Sequence, residues 1–356
     1  MRVLRLGDDT IYPCVAGSVG DHEVLFLVDT GCPDIGVSKR LAGVLPTADS
    51  REVDITVQTG DVKTVEFPLP DVTVGNIVLH GKNGTVIELL DRFSRETGTH
   101  VDGVLGAPLF HAGVVTLDYV AGTLTFEQAA EEEGEPGTEY LPIVLLEGQP
   151  LIEANVCHVG ADIFILDTGM GWPLCVGPWS RLKGRITNRQ DLPRLAVGKD
   201  TARVGSARLV ETGRIRWENV RLEVIEQATQ LENRVGSGFF ADCRLTIDYA
   251  HQRIGVRRVR PETRSGWGLD VLCREGGLTV QRVLPSSPAE RAGIRAQDRV
   301  EGIGGAAAAG SVTAFFECLA PHETVTLDLA RGSERLKCAM TRAAYLPQID
   351  VRPPGK

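Results

Sequence analysis

Two stretches of the chain end in the same three residues, and those residues could do acid–base chemistry. Asp29-Thr30-Gly31 follows the apolar run Leu25–Val28, and Asp167-Thr168-Gly169 follows Ile163–Leu166 at an offset of 138. An apolar strand buries itself, so each aspartate is held at the edge of a core, and the glycine permits a sharp turn. If the two stretches pack about a pseudo-twofold axis, the two carboxyl groups meet.

Two carboxyl groups that meet have a definite chemistry. They cannot both ionise, so they share a proton and titrate as a pair. One carboxylate can act as the base for a bound water, while the other group donates to a carbonyl oxygen. Acid and base groups positioned in this way contribute about 10²–10⁴-fold each to a rate. The hydroxyl groups of Thr30 and Thr168 can brace the opposite loop with hydrogen bonds.

A second pair of matching segments extends the repeat. Val104-Leu105-Gly106 and Val115–Tyr119 recur as Arg234-Val235-Gly236 and Leu245–Tyr249, at an offset of 130. An internal repeat of this kind constrains the fold, because both copies are expected to form the same structural unit. The repeat predicts two lobes with the same order of elements and a shorter middle segment in the second lobe.

The elements that must position the aspartates read as β-strands. Alternating, β-branched segments predict strands at Glu52–Thr59, Asp61–Phe67 and Val72–Leu79, with Thr59-Gly60-Asp61 as a hairpin turn. The second block repeats this pattern at 151–156, 162–166, 202–210 and 220–225. Forty glycines against 5% aromatic residues also favour a β-rich chain. The predicted fold class is therefore mainly all-β, with two lobes related by the repeat.

The pattern changes after the basic stretch Arg257–Arg264. Ser311–Leu319 predicts a short helix, and Thr324–Leu329 and Glu334–Met340 predict two closing strands. A Glu-, Gly- and Pro-rich segment, Ala129–Glu139, is typical of an exposed linker. The sequence thus predicts three domains: 1–128, 138–258 and 265–345.

Composition and charge exclude several classes of protein. The 356 residues carry a net charge of -9, whereas nucleic-acid binding needs a basic surface. No stretch approaches the about 18–20 consecutive apolar residues of a membrane span. The start, Met1–Asp9, shows no apolar leader, so a cytoplasmic location is expected, or a periplasmic or exported one if a leader has been trimmed. The acidity is uneven, because residues 1–128 hold 9 Lys and Arg against 18 Asp and Glu, but residues 129–264 hold 18 against 19.

Metal and cofactor sites have no support in the sequence. The eight cysteines include no Cys-x-x-Cys pair, and the seven histidines show no His-x-x-x-His spacing. Scattered cysteines in a chain of this size are typical of small buried apolar residues in a reducing compartment. We therefore expect neither a metal nor a cofactor.

The paired triplets and the later glycine motifs resemble aspartic proteases of the retropepsin and pepsin kind, in a two-lobed, single-chain form. The resemblance covers roughly residues 8–258. It implies two β-barrel lobes related by pseudo-twofold symmetry. It also implies a monomeric endopeptidase that hydrolyses a protein or peptide substrate through an activated water. It also implies a flap at Thr59, Gly60 and Asp61 over an extended peptide. The implied site residues are catalytic Asp29 and Asp167, with supporting Thr30, Gly31, Thr168 and Gly169.

Three positions depart from that family and leave alternatives open. Cys32 and Met170 follow the triplets where the family often has Ser, Thr or Ala. Arg234 replaces an apolar residue and would put a charge near the core of the second lobe. One alternative is a non-catalytic peptide-binding scaffold on a degenerate protease fold. Another is a homodimer in which the first-lobe sites pair between chains.

The C-terminal segment resembles a PDZ domain of the bacterial type. The resemblance rests on the loop Gly266, Trp267, Gly268 and Leu269 and on the run from Ser287 to Gly293. In that family the loop offers backbone N–H groups to the terminal carboxylate of a peptide, which adds as a strand beside the following residues. Gln297 and Gly304-Gly305 depart from the family pattern. The alternative is a small β-domain with no free groove.

Overall fold

The fold is known from a computed structural model, which describes residues 1–47, 49–57, 60–128, 134–178, 180–197, 200–225, 233–261, 265–275, 277–308 and 310–353. Strands in four sheets dominate these ranges, so the predicted all-β class is confirmed. None of the helices described there is long and apolar enough to cross a membrane.

The first lobe is built on a ten-stranded sheet. Its central strands alternate, and side chains such as Phe26 and Val28 point into the core without any exposed surface. The elements are β1 Arg2–Arg5, β2 Ile11–Val19, β3 His22–Val28, β4 Ile35–Val37, α1 Lys39–Ala42, β5 Arg51–Val57, β6 Gly60–Pro68, β7 Val72–Val74, β8 Ile77–Leu79, β9 Asn83–Val86, α2 Glu88–Thr97, β10 Gly103–Leu105, α3 Ala107–Ala112, β11 Val114–Asp118 and β12 Thr123–Glu127.

The hairpin predicted to form the flap is present, with a different register. Val57 of β5 pairs with Gly60 of β6, so Gly60 and Asp61 belong to the second strand and not to the turn. Thr59 lies outside the described residues. The segment predicted as one strand, Val72–Leu79, is two strands, because Gly75 between them adopts a left-handed conformation with φ of 59°.

The second lobe contains an eight-stranded sheet. All four strands predicted for it are present, each longer than predicted. Its elements are β13 Glu139–Pro142, β14 Val144–Leu146, β15 Gln149–Val156, β16 Ala161–Asp167, β17 Leu174–Val176, β18 Arg194–Val197, β19 Asp200–Thr212, β20 Ile215–Ile225, β21 Arg234–Gly236, β22 Cys243–Asp248 and β23 Arg253–Arg258, with short 3₁₀ helices at Arg189–Asp191 and Ser237–Phe240. Part of the predicted linker, residues 129–133, lies outside the described residues.

The two lobes have the same strand arrangement around their triplets. In the first lobe β10 lies between β3, to which it is parallel, and β4, to which it is antiparallel. In the second lobe β21 lies in the same way between β16 and β17. Each Asp-Thr-Gly triplet therefore leaves the sheet beside a short central strand that carries the later glycine motif.

A shared five-stranded sheet joins the lobes, in the order β12-β11-β22-β23-β13. Thr116 of β11 pairs with Thr246 of β22, and the two hydroxyl groups lie 3.0 Å apart. These two positions are related by the sequence offset of 130. The antiparallel pairing of equivalent strands gives the lobes an approximate twofold relation, which the meeting of Asp29 and Asp167 requires.

The third domain has its own core, which includes Trp267, Phe315 and Leu327. The predicted helix is present from Val312, with Ser311 capping it by accepting a hydrogen bond from the Ala314 N–H at 3.2 Å. Its elements are β24 Leu269–Arg274, β25 Gly277–Val283, α4 Pro288–Arg291, β26 Arg299–Ile303, β27 Ala306–Ala307, α5 Val312–Leu319, β28 Thr324–Arg331 and β29 Glu334–Thr341. Strand β24 lies at one edge of the sheet.

The chain returns to the second lobe after the third domain, which the sequence did not predict. The Ser206 N–H donates to the Pro347 carbonyl at 2.8 Å, and the Ile349 N–H donates to the Ser206 carbonyl at 2.9 Å. Ile349 is buried in the core of the lobes. The C-terminal segment therefore ties the third domain to the second lobe.

Candidate active site

The two triplet loops meet between the lobes through reciprocal hydrogen bonds. The Thr30 N–H donates to Thr168 Oγ1 at 3.0 Å, and the Thr168 N–H donates to Thr30 Oγ1 at 3.0 Å. Each hydroxyl also donates across the axis, Thr30 to the Leu166 carbonyl at 2.6 Å and Thr168 to the Val28 carbonyl at 2.8 Å. Both threonines are fully buried. Four hydrogen bonds thus fix the position of one loop against the other.

The glycine of each triplet lies against the aspartate of the other lobe. A Cβ atom added to Gly31 would lie 2.7 Å from Asp167 Cγ, and one added to Gly169 would overlap the Asp29 carboxyl group. The Gly31 and Gly169 N–H groups both donate to Asp29 Oδ1, at 2.7 and 3.2 Å. Glycine is needed at both positions because only its missing side chain lets the two carboxyl groups approach.

Arg234 contacts the second aspartate directly. Its Nη1 lies 2.6 Å from Asp167 Oδ2, and the two side chains are only 16% and 7% exposed. The sequence predicted that Arg234 would put a charge near the core of the second lobe. In the structure this guanidinium lies beside the carboxyl group of Asp167. The Met170 N–H also donates to Asp167 Oδ1, at 2.9 Å. Asp167 therefore has both a cation and a backbone donor in direct contact with its carboxyl oxygens.

The two unusual residues after the triplets are accommodated locally. The Met170 side chain is buried inside the second lobe, where it packs with Cys175, Ala202 and Ile225. Cys32 is partly exposed, and its thiol donates to the Asp34 carbonyl at 3.3 Å. Neither residue prevents the contact between the triplet loops.

The charge of the site is unevenly distributed. Burial, the charge of Asp167 and a side-chain hydrogen bond between the two carboxyl groups raise the pKa of Asp29 well above its ordinary value. The Gly31 N–H and the Arg234 guanidinium act in the opposite direction and lower that pKa. The arrangement therefore favours a proton on Asp29.

The later glycine motifs support the triplet loops from behind. The Gly106 N–H donates to the Asp34 carbonyl at 3.1 Å, and the Gly236 N–H donates to the Pro173 carbonyl at 2.9 Å. A Cβ atom at Gly106 or Gly236 would overlap backbone carbonyl oxygens of the loop that follows each triplet. Each glycine motif thus threads through the loop of its own lobe.

The loop of the third domain that was predicted to bind a peptide carboxylate, residues 266–269, contacts the first lobe. The N–H groups of Trp267 and Gly268 donate to the carboxylate of Asp8, and Leu269 and Trp267 are buried. Gly266 pairs with Ala343 through two backbone hydrogen bonds. No pattern in the sequence indicated Asp8 as a partner of this loop.

A buried ion network near the site was also missed. Arg221 Nη1 lies 3.1 Å from Asp9 Oδ1, and its Nη2 lies 2.8 Å from Glu223 Oε1. Arg221 and Glu223 are almost fully buried on β20. Their spacing of two residues on a predicted strand could have indicated that they share a face, although nothing local pointed to Asp9.

Comparison with known families agrees with both resemblances. Residues 15–109 match the family model of aspartyl proteases, and residues 279–331 match that of PDZ domains. The chain contains an aspartyl protease domain and a PDZ domain. The protease match includes Asp29 and lies within the first lobe, and the PDZ match spans β25 to β28. A search of curated proteins gives no significant match.

Proposed function

We propose that the chain is an aspartic endopeptidase in which Asp29 and Asp167 share one proton and activate a water. The carrying observation is the reciprocal contact of the two Asp-Thr-Gly loops, which Thr30 and Thr168 hold together. The aspartyl protease match supports a hydrolase that acts on peptide bonds. The raised pKa of Asp29 supports a dyad that carries a single negative charge.

The two carboxyl groups have different roles in this proposal. Asp167 takes a proton from the water as the water oxygen attacks the carbonyl carbon of the peptide bond. Asp29 gives its proton to the carbonyl oxygen, which yields a tetrahedral diol. Asp167 then passes its proton to the leaving nitrogen as the C–N bond breaks, and Asp29 regains a proton from one hydroxyl group of the diol.

One observation favours a second candidate, a non-catalytic peptide-binding scaffold. The Arg234 guanidinium donates a hydrogen bond to Asp167 Oδ2 at 2.6 Å, so this oxygen is already engaged and competes poorly for a water. If that effect dominates, the lobes bind an extended peptide without cleaving it. The PDZ domain supports peptide binding in either case.

Cleavage of a peptide library across pH separates the two candidates. We expect cleavage by the full chain, inhibition by a pepstatin-type compound, and loss of both in Asp29→Asn. The matched control is Asp71→Asn, which removes a first-lobe carboxylate that pairs with the exposed His80 instead. Undiminished cleavage in Asp29→Asn would contradict the endopeptidase. Peptide binding without cleavage by the unaltered chain would favour the scaffold.

A further inference from the structure

The loop that precedes β24 of the PDZ domain already holds a carboxylate. The Trp267 N–H lies 2.9 and 3.0 Å from the two carboxylate oxygens of Asp8, and the Gly268 N–H lies 2.9 Å from Asp8 Oδ2. A Cβ atom at Gly266 would overlap this carboxylate, so the loop closes tightly around it. Backbone N–H groups arranged in this way bind an anion.

A third donor and an apolar contact complete the arrangement. The Tyr345 hydroxyl donates to Asp8 Oδ2 at 3.1 Å. Leu6, two residues earlier, packs against the core of the PDZ domain, and β1 lies against α5. Burial raises the pKa of Asp8 to about 6, although the two backbone N–H groups lower it, so Asp8 is ionised at neutral pH. The segment therefore presents an apolar side chain followed by a carboxylate.

The same segment continues to the catalytic loop of the second lobe. Asp9 pairs with the buried Arg221. The Ile11 N–H donates to the carbonyl of Gly171 at 3.0 Å, two residues after the second triplet. The Tyr12 ring fills the place that a side chain at Gly171 would occupy. Residues 8–12 thus connect the PDZ loop to the loop that carries Asp167.

We propose that Asp8 is an internal ligand of the PDZ domain and that the C-terminal carboxylate of a polypeptide competes with it for the Trp267 and Gly268 N–H groups. A polypeptide that binds there displaces Leu6 and Asp8, and this frees residues 8–12 from the PDZ domain. The internal contact reduces the apparent affinity for the polypeptide, since only molecules with the loop vacated can bind it. This proposal concerns binding, so it stands or falls independently of proteolysis.

Binding of a labelled peptide to the full chain tests the competition. The probe is a fluorescein-labelled octapeptide that ends in leucine with a free carboxylate, because Leu6 supplies the apolar group of the internal ligand. Fluorescence anisotropy should show at least a tenfold lower Kd for Asp8→Ala than for the unaltered chain. The matched control, Asp21→Ala, removes an exposed acidic residue and should leave the Kd unchanged.

Three results would overturn the proposal in this assay. They are an equal Kd for Asp8→Ala and the unaltered chain, equally tight binding of the C-terminally amidated peptide, and no binding to either protein. Hydrogen exchange on the unaltered chain tests the proposal without a substitution. Saturating peptide should speed exchange in residues 6–12 while residues 266–269 stay protected, and unchanged or slower exchange in residues 6–12 would overturn the displacement.

Discussion

The same position in the two protease lobes holds Val104 in one and Arg234 in the other. Val104 is buried among Leu4, Leu90 and Val101, beneath helix α2. In the described part of the second lobe no helix precedes β21 as α2 precedes β10, and Arg234 reaches Asp167 instead. One backbone arrangement therefore gives two different electrostatic surroundings.

The aspartates differ in the same way. Asp29 accepts hydrogen bonds from the backbone N–H groups of the two glycines, whereas Asp167 has a guanidinium beside it. The two lobes agree in strand order and in their reciprocal threonines. Their unequal surroundings nevertheless favour the shared proton on Asp29. The comparison teaches that the symmetry of the backbone brings the two aspartates together, and that the side chain at position 234 makes their surroundings unequal.

The largest expected effect comes from the glycines of the triplets. Gly31→Ala and Gly169→Ala each push the carboxyl group of the opposite lobe away, and a misplacement of about 1 Å can cost about 100-fold in rate. We expect kcat/KM to fall at least by that factor in both variants. Gly310→Ala is the control, because nothing lies within 4 Å of its added Cβ atom. Unchanged kcat/KM in either triplet variant would show that the lobes do not meet there.

The two buried threonines, Thr30 and Thr168, should contribute similarly to the free energy of unfolding, because their hydrogen bonds are reciprocal. Thr30→Val and Thr168→Val each leave a buried N–H group of the opposite loop without its partner, which costs about 1–3 kcal/mol of unfolding free energy. We expect similar costs in urea unfolding, and less than their sum in the double variant because both belong to one network.

The exposed pair of Thr324 and Thr341 supplies the control for that comparison. Thr324→Val should change the unfolding free energy by less than either buried substitution. A large cost for one of the buried threonines and none for the other would contradict the reciprocal network.

The smallest expected effect tests the asymmetry. Arg234 lowers the pKa of Asp29, so Arg234→Val should raise that pKa further. Cleavage needs the proton on Asp29, is retained below this pKa and is lost as the pH rises through it. The high-pH limb of kcat/KM should therefore move to higher pH.

Arg234→Lys separates the charge from the shape of that side chain. It keeps the cation and should leave the high-pH limb close to that of the unaltered chain. An unshifted limb in Arg234→Val would mean that the guanidinium does not influence the proton of the dyad.

Much of the fold could be predicted from the sequence, because it depends on local periodicity and on the repeat. The strands of both lobes and the helix at Val312–Leu319 follow from these signals. Helix α2 was missed, since its ten residues offer a single short stretch of helical pattern between strands. The C-terminal segment around Ile349 was missed because its strand-like contacts form with residues distant in sequence, such as Ser206 and Ile186.

The residues of the candidate site likewise include some that the repeat predicts and some whose contacts depend on tertiary structure. The spacing of the two triplets predicted which aspartates could meet, and that needs only the repeat. The partner of Arg234 could not be predicted, because the direction of the Arg234 side chain depends on which elements cover β21. Asp8 meets the N–H groups of Trp267 and Gly268 about 260 residues away, and no local pattern in residues 6–10 indicates such a contact.

The central claim is that Asp29 and Asp167 act as one unit within one chain. Its most direct test compares kcat/KM of Asp29→Asn, Asp167→Asn and the double variant. Residues that act as a unit are strongly non-additive, so we predict that each single variant loses nearly all that the double variant loses. Substantial activity in Asp167→Asn alone would contradict the account and would favour pairing of first-lobe sites between two chains.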